Sequence, residues 1–519
     1  MKTLDPGIRR DDDMGFNQNL LDITDRYGGL LMLFAGAAAV TAFAPFGWYP
    51  VISGALLLLF NQWLRDTPQQ SFRRGFLFGL GFFGVGITWV FNSIHVFGHV
   101  PVIGALAVTL GLVFVLSLYP AVLGYCLGRF MHKPSWPVLV MAFPAGWVLS
   151  EWLRSWLFTG FPWLNIANSQ IDSPLAGYIP VLGVYGTGWL LSLLAVLLLA
   201  VLNNQRRVVS AALLLMMLAG GLLLDRVQWA TPRGEAIQVS LIQGNISQED
   251  KWAPENMLST FSLYSELTFK QQNTDLFIWP ETAIPAFHDQ VNDSFISYLE
   301  TELAKTGASL LTGIPVLDRQ RWEYFNAVIA LGGEQAFYYK QRLVPYGEYL
   351  PLRWLIGNTL DALAVPNADF TSGTDSQPLL QAAGYPVATS ICYEVVFGEQ
   401  IIKALPEAAM LVNVSNDAWF GDSLAPQQHL EMARMRARET GRPMLRATNT
   451  GISAIIDHTG HITQQSPQFE VAVLTGSVTP MQGVTPYVRM GNVPIVVLSV
   501  ACLLLCWLAN RRRGQEREG

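Results

Sequence analysis

Apolar residues along this chain gather into long unbroken runs, near residues 29–45, 47–64, 75–94, 101–128, 136–153, 176–202, 208–224 and 491–510. A helix needs roughly 20 apolar residues to cross the hydrocarbon core of a bilayer, so the pattern predicts about eight spans. Between the seventh and eighth runs the pattern changes. Residues 237–242 alternate as a strand does, and 276–279 form a short apolar run stopped by Pro280. Residues 309–314 form another, and 326–331, Gly332-Gly333 and 335–339 read as a hairpin. Further strands are expected at 385–391, 409–414, 444–448, 452–456 and 469–474. Helical stripes fall between them: 254–269 with Met257, Leu258, Phe261 and Leu267, 294–305 with Phe295, Leu299 and Leu303, and 426–440. Strands with interspersed helices predict layered α/β packing.

Charge then orients the spans. Arg26, the Arg65/Arg73/Arg74 group, Arg129 with Lys133, Arg206 with Arg207, and Arg511 to Arg513 all sit in alternate connections. The other connections, 45–50, 95–101 and 158–178, are poor in Lys and Arg. Cytoplasmic loops carry the excess of basic residues, so both termini are expected inside the cell and residues 227–488 outside. The expected organisation is a disordered cytoplasmic tail (1–26), seven helices (27–226), an outer domain (227–488), an eighth helix (489–510) and a short cytoplasmic tail (511–519). Met14 offers a second start, which would make 1–13 an extension. Thr41-Ala42-Phe43-Ala44 resembles a signal-cleavage site, although a retained first helix is expected. Trp147, Trp152, Trp156, Trp163 and Tyr178 suit an aromatic belt at the membrane surface, with lipid binding as the alternative. Glu151 and Arg154 beside them are either functional groups at membrane depth or a pair that snorkels to the interface.

Composition removes several classes of function. Hydrophobic residues make up 51% and charged residues 14%, too apolar a balance for one large soluble core. The formal charge of −6, without a basic tract, argues against nucleic acid. The seven histidines form no HExxH, no CxxC pair exists, and no GxxxxGK[ST] loop is present. Neither a metal, another cofactor nor ATP-driven transport is therefore expected.

Of the four cysteines, only Cys392 lies in the water-compatible stretch. It is either a small buried hydrophobe or a nucleophile. Glu281, Lys340 and Cys392 each follow a predicted strand, where α/β folds bind ligands. A thiol needs a base, which a carboxylate supplies, and an ammonium lowers the thiol pKa and stabilises an oxyanion. The Tyr393 N–H would be a second oxyanion donor. Taken singly, Glu281 reads equally as a helix-start carboxylate and Lys340 as a solvated edge charge.

The neighbouring residues make the set specific. Trp279-Pro280-Glu281, the run from Tyr339-Lys340 to Tyr346-Gly347-Glu348, and Ile391-Cys392-Tyr393-Glu394 resemble the three motifs of the nitrilase (carbon–nitrogen hydrolase) superfamily. With seven helices before that domain and one after it, the chain resembles the apolipoprotein N-acyltransferase family. Gln243-Gly244-Asn245-Ile246, Lys251-Trp252, Ser415 to Gly421, Ala433 to Ala437 and Ala447 to Ser453 add to the match. The resemblance implies an αββα sandwich, with Glu281 as base, Lys340 as oxyanion stabiliser and Cys392 as nucleophile. It makes Glu348 a second carboxylate on Lys340 and marks Trp252, Tyr393 and Glu394 as important, although Glu348 and Glu394 also read as structural salt-bridge partners. It implies transfer of an acyl chain from a phospholipid, phosphatidylethanolamine by resemblance, through a thioester to the α-amine of a diacylated lipoprotein. The apolar loop 349–370 (Leu350, Trp354, Leu355, Ile356, Leu360, Leu363) and Trp419-Phe420 are expected to bind lipid or simply to pack. The alternatives are a membrane-tethered amidase with the same triad, and a transporter with an outer cargo-binding domain.

Overall fold

The computed structural model describes residues 27–131, 134–345, 347–349 and 369–518. The expected tail 1–26 and nearly all of the 349–370 loop lie outside the described residues. Eight apolar segments fold as helices: α1 (Tyr27–Ala42), α2 (Pro50–Trp63), the pair α3 (Pro68–Gly86) and α4 (Trp89–Phe97), α5 (Val102–Phe130), α6 (Trp136–Arg154), α7 (Ala176–Leu202), α8 (Arg207–Leu224) and, after the α/β domain, Val493–Arg511. Among the described residues, five are long and apolar enough to cross a membrane, six if α3 and α4 count as one, while α1 and α2 are shorter. The expected continuous span 75–94 is instead bent by 53° between α3 and α4. At the break, a Cβ on Gly86 would stand 2.3 Å from Leu164 Cδ1, so glycine admits the 161–170 segment there.

That segment corrects two expectations. Trp147 and Trp163 are buried core residues rather than belt residues; only Trp156 of the five is largely exposed. Glu151 and Arg154 do not snorkel. Arg154 donates to the carbonyls of Phe161 (2.6 Å) and Trp163 (2.5 Å) and to Asn165 Oδ1 (2.7 Å). Glu151 accepts the Ile166 N–H at 2.9 Å. The two charges lie 4.0 Å apart and staple irregular backbone that has no ladder of its own.

The remaining residues form an αββα sandwich. Strands β1 (Ala230–Pro232), β2 (Ile237–Gln243), β3 (Leu276–Ile278), β4 (Ser309–Asp318), β5 (Glu323–Leu331) and β6 (Ala336–Tyr339) come first. Then follow β7 (Leu380–Ala382), β8 (Tyr385–Ile391), β9 (Met410–Ser415), β10 (Met444–Thr448), β11 (Ala454–Ile456), β12 (Ile462–Gln465), β13 (Ala472–Val478) and β14 (Met481–Gly483). One sheet runs β13-β2-β3-β4-β5-β6, the other β12-β11-β10-β9-β8-β7, and β1 pairs with β14. The strand expected at 469–474 is displaced to Ala472–Val478, and β1, β7, β12 and β14 were too short to show a period.

Period-2 alternation sorts side chains between layers. Val239, Leu241, Leu311 and Val328 of the first sheet meet Val387, Val412, Val414 and Leu445 of the second. On the outer face of the first sheet, Phe277, Leu310 and Ile329 pack under helices α9 (Met257–Phe269) and α10 (Ser297–Thr306). In α9 the buried stripe is Phe261, Tyr264 and Thr268, whereas Leu258, expected inside, is exposed. On the second sheet, Leu411, Met444 and Ile456 pack under Leu430, Ala433 and Ala437 of α11 (Ala425–Thr440). That core continues without a break into Phe43 just past α1, Phe82 of α3, and Trp163 and Leu164 of the 161–170 segment. The last helix, α12 (Val493–Glu518), returns along α6.

Candidate active site

Three strand ends converge. After β3, Trp279 extends the pairing by one bond to Leu311 O, and its indole donates to Thr268 at 2.8 Å. Pro280 then ends the strand and Glu281 turns inward, followed by Thr282 in a left-handed conformation (φ 52). The turn fits because β4 carries Gly313: a Cβ there would lie 2.7 Å from Glu281 Cα and 2.3 Å from the Thr282 nitrogen. Lys340 follows β6, with its N–H bonded to Asn326 O at 2.9 Å. Cys392 follows β8 and is itself left-handed (φ 51), a strained conformation for a residue with a Cβ.

A buried network joins the first two. Lys340 Nζ lies 2.7 Å from Glu348 Oε1 and 3.4 Å from Glu281 Oε1. Asn326 Nδ2 bridges both carboxylates, at 2.7 Å to Glu281 and 3.1 Å to Glu348. Glu281 Oε2 accepts the Asn416 N–H (2.9 Å) from the end of β9, the strand beside that of Cys392. Lys340 is 1% exposed, so the edge-charge reading fails. Burial works against its charge, but Glu348 and Glu281 outweigh it and push its pKa up. Glu348 also accepts the Val344 N–H (2.8 Å), so it anchors both the ammonium and the chain beyond it.

The thiol departs from expectation. Burial pushes the Cys392 pKa up to about 12; Glu281 and Asp417 add to this, while Lys340 and a hydrogen bond with Ser415 oppose it. Lys340 alone therefore does not create a resting thiolate. The thiol is neutral at pH 7, and its proton must leave as the sulfur attacks.

Glu394 has a structural task other than a salt bridge. It accepts the N–H groups of Ile391 (2.7 Å), Gln341 (2.7 Å) and Arg342 (3.0 Å), the Tyr338 hydroxyl (3.0 Å) and Gln400 Nε2 (2.8 Å). It thereby ties the turn of Cys392 to the segment of Lys340. Tyr393 packs on Phe397 and donates its hydroxyl to Gly160 O at 3.2 Å, linking the turn to the membrane part. Phe420 packs against Trp89, Trp163 and His429, and Trp419 against Phe97. Trp252 is half exposed. Lys251 beside it is buried, donates to Glu281 O at 3.0 Å, and has its pKa lowered to about 8 by burial, against the pull of Glu281.

Sequence reasoning missed Asn326, Asn413, His429 and Arg446. Asn413 and Arg446 did leave a trace, as polar residues in the middle of apolar strands that must find partners when buried. Among the described residues, no cluster of His, Cys, Asp and Glu suits a metal ion.

The family of this site follows from the whole chain. Residues 35–197 match the model of the apolipoprotein N-acyltransferase N-terminal domain, and residues 238–485 that of the carbon–nitrogen hydrolases. The apolipoprotein N-acyltransferase of Methylococcus capsulatus is 46% identical over 94% of this chain and 98% of its own length. That of Nitrosomonas europaea is 43% identical over 92% and 97%. A solved carbon–nitrogen hydrolase from Helicobacter pylori aligns with 47% of this chain and 89% of its own at 14% identity, TM-score 0.37. With the membrane helices and the sandwich matched in order and nearly end to end, the chain belongs to the apolipoprotein N-acyltransferase family.

Proposed function

We propose that Cys392 carries an acyl chain from a phospholipid to the α-amine of a diacylated lipoprotein, with Glu281 as proton carrier and Lys340 as oxyanion donor. The observation that carries this reading is a buried thiol on a strained turn, beside a carboxylate and an ammonium held in one hydrogen-bonded network. Glu281 takes the thiol proton as sulfur attacks the sn-1 ester carbonyl. The oxyanion is met by Lys340 and by the Tyr393 N–H. The C–O bond breaks, Glu281 returns the proton to the departing glycerol oxygen, and lysophospholipid leaves. The lipoprotein amine then attacks the thioester. Its proton passes to Glu281, the C–S bond breaks, the amide forms and the thiol is restored.

Glu348 and Asn326 hold the charged pair in place, and Glu394 holds the two segments together. Phosphatidylethanolamine is the proposed donor. The sandwich is proposed to lie on the outer, periplasmic side of the bacterial inner membrane, with the helices crossing it; the basic residues in alternate loops support that orientation. Trp252, Trp419 and Phe420, with the apolar 349–370 stretch, are proposed to meet lipid and to keep water from the thioester.

Intact-mass analysis after incubation with phospholipid alone tests the reading. A hydroxylamine-labile acyl adduct on the Cys392 peptide is expected, absent in Cys392→Ala and discharged by a diacylated lipopeptide. An adduct that survives in Cys392→Ala removes the cysteine from the reaction. Rapid hydrolysis of the adduct without any amine would instead favour the membrane-tethered amidase.

A further inference from the structure

Behind Cys392 lies a buried polar cluster that the proposed chemistry does not use. The Cys392 carbonyl accepts two hydrogen bonds, from Asn413 Nδ2 (3.3 Å) and from His429 Nε2 (3.2 Å). Asn413 and His429 are wholly buried, as are Arg446 and Asp417 next to them. A carbonyl only accepts, so Nε2 of His429 must carry the proton. Burial and the neighbouring Arg446 charge pull the His429 pKa down against the opposing pull of Asp417, whose Oδ1 lies 3.2 Å from Nδ1. Arg446 lies 2.9 Å from the same Nδ1 and donates to Asp417 Oδ2 at 2.8 Å. Arg446 also bonds Asn413 Oδ1, and Ser415 donates to Asp417 Oδ1 at 2.7 Å. The imidazole packs between Trp163 and Phe420, with centroids 5.7 and 5.9 Å away. Arg446 thus sets the orientation of both groups that hold the Cys392 carbonyl.

The peptide unit is planar and trans, so its C=O and N–H point in opposite directions. The N–H on the Cys392 peptide belongs to Tyr393. In a 3₁₀ turn an N–H reaches back three residues, so this one, second in the Cys392–Val396 turn, has no acceptor within it. We infer that Asn413 and His429 are positioning residues for acyl transfer: by gripping the Cys392 carbonyl they aim the Tyr393 N–H at the oxyanion. This role rests on the reading of Cys392 as nucleophile. It also accounts for how a left-handed cysteine is held in one orientation.

Two reactions of the same sulfur separate this role from a merely structural one. Acylation by phospholipid passes through an oxyanion, whereas alkylation by iodoacetamide displaces iodide without one. In His429→Leu, Cys392 acylation should fall on the order of a hundredfold, with alkylation within about twofold of wild type. His429→Gln, whose amide also donates, should restore most of the acylation. If His429→Leu does not fold, Asn413→Ala carries the same expectation through the other donor. Wild-type acylation rates in these variants, or equal loss of acylation and alkylation, would overturn the role. In that case the wild-type adduct would still stand, and the proposed nucleophile with it. A wild-type protein never acylated at Cys392 would remove both.

Discussion

Helices α10 and α11 cover equivalent faces of the two sheets, and they are built by opposite rules. In α10, Leu299 and Leu303 face the sheet while Lys305 reaches into water. Helix α11 is rich in Gln, Glu and Arg, yet almost all of it is buried, because the membrane helices lie on the side away from the sheet. Its polar groups answer polar groups there. Glu439 accepts the Val184 N–H (2.8 Å), freed where Gly183 (φ 65) breaks α7. Glu431 accepts the Ala44 N–H (3.1 Å) just past α1, and Gln428 accepts the Trp163 indole N–H (2.6 Å). Arg434 pairs with Asp172, and Arg438 with Asp225. A polar helix can thus be a core helix when its neighbour offers broken backbone to be satisfied.

The sharpest way to break the contrast is Glu439→Leu. It strands Arg436, which is 2% exposed and 3.0 Å from that carboxylate. The loss should be about 3–5 kcal/mol, read as thermal unfolding in detergent. Little change would mean that α11 tolerates what α10 tolerates. Gly313→Ala asks whether the water-facing half is permissive throughout. Its Cβ would strike the Glu281–Thr282 backbone, so about 1–3 kcal/mol of stability and most of the activity should go. Retained Cys392 acylation would show that the turn can yield.

A pH series separates the two faces next. Burial pushes Glu431 up to about 8 and Glu439 up to about 7, although the Ala44 N–H and Arg436 respectively work against it. Folded-state values above the ordinary 4.5 mean that the folded protein keeps protons which the unfolded chain releases. This contribution is full below that value and is lost as pH rises through 7 to 8. Thermal stability should therefore fall across that window in wild type, and less steeply in Glu431→Gln. Parallel curves would assign the fall to other groups. The smallest effect is expected from Glu302→Ala on α10, whose partner Lys305 is largely exposed. A change beyond about 0.5 kcal/mol would contradict the solvated reading of that face.

The same contrast marks where sequence reading worked. The strand ends before Glu281, Lys340 and Cys392 were legible because Pro280, the Gly332-Gly333 turn and period-2 runs are local signals. The 426–440 helix was placed in sequence, but its burial was not foreseen, because no apolar stripe marks a face that pairs with backbone. Trp163 was expected at the membrane surface because an indole suits it. The Gln428 partner that draws it inside is 265 residues away. Glu394 read either as a functional group or as a salt-bridge partner, yet it serves backbone N–H groups about 50 residues upstream that no spacing could reveal.

What the sequence determined by itself was the kind of molecule: apolar runs long enough for lipid, an α/β stretch between them, and three reactive side chains placed just after strands. Hydrophobic period and chain-breaking residues act between near neighbours, so they can be read along a line. Only the tertiary structure decided which charges meet, how deeply the thiol lies, and which groups hold the Cys392 peptide. Those outcomes depend on burial and on partners drawn from two sheets and a helix bundle, where a group's environment is set by contacts far away along the chain.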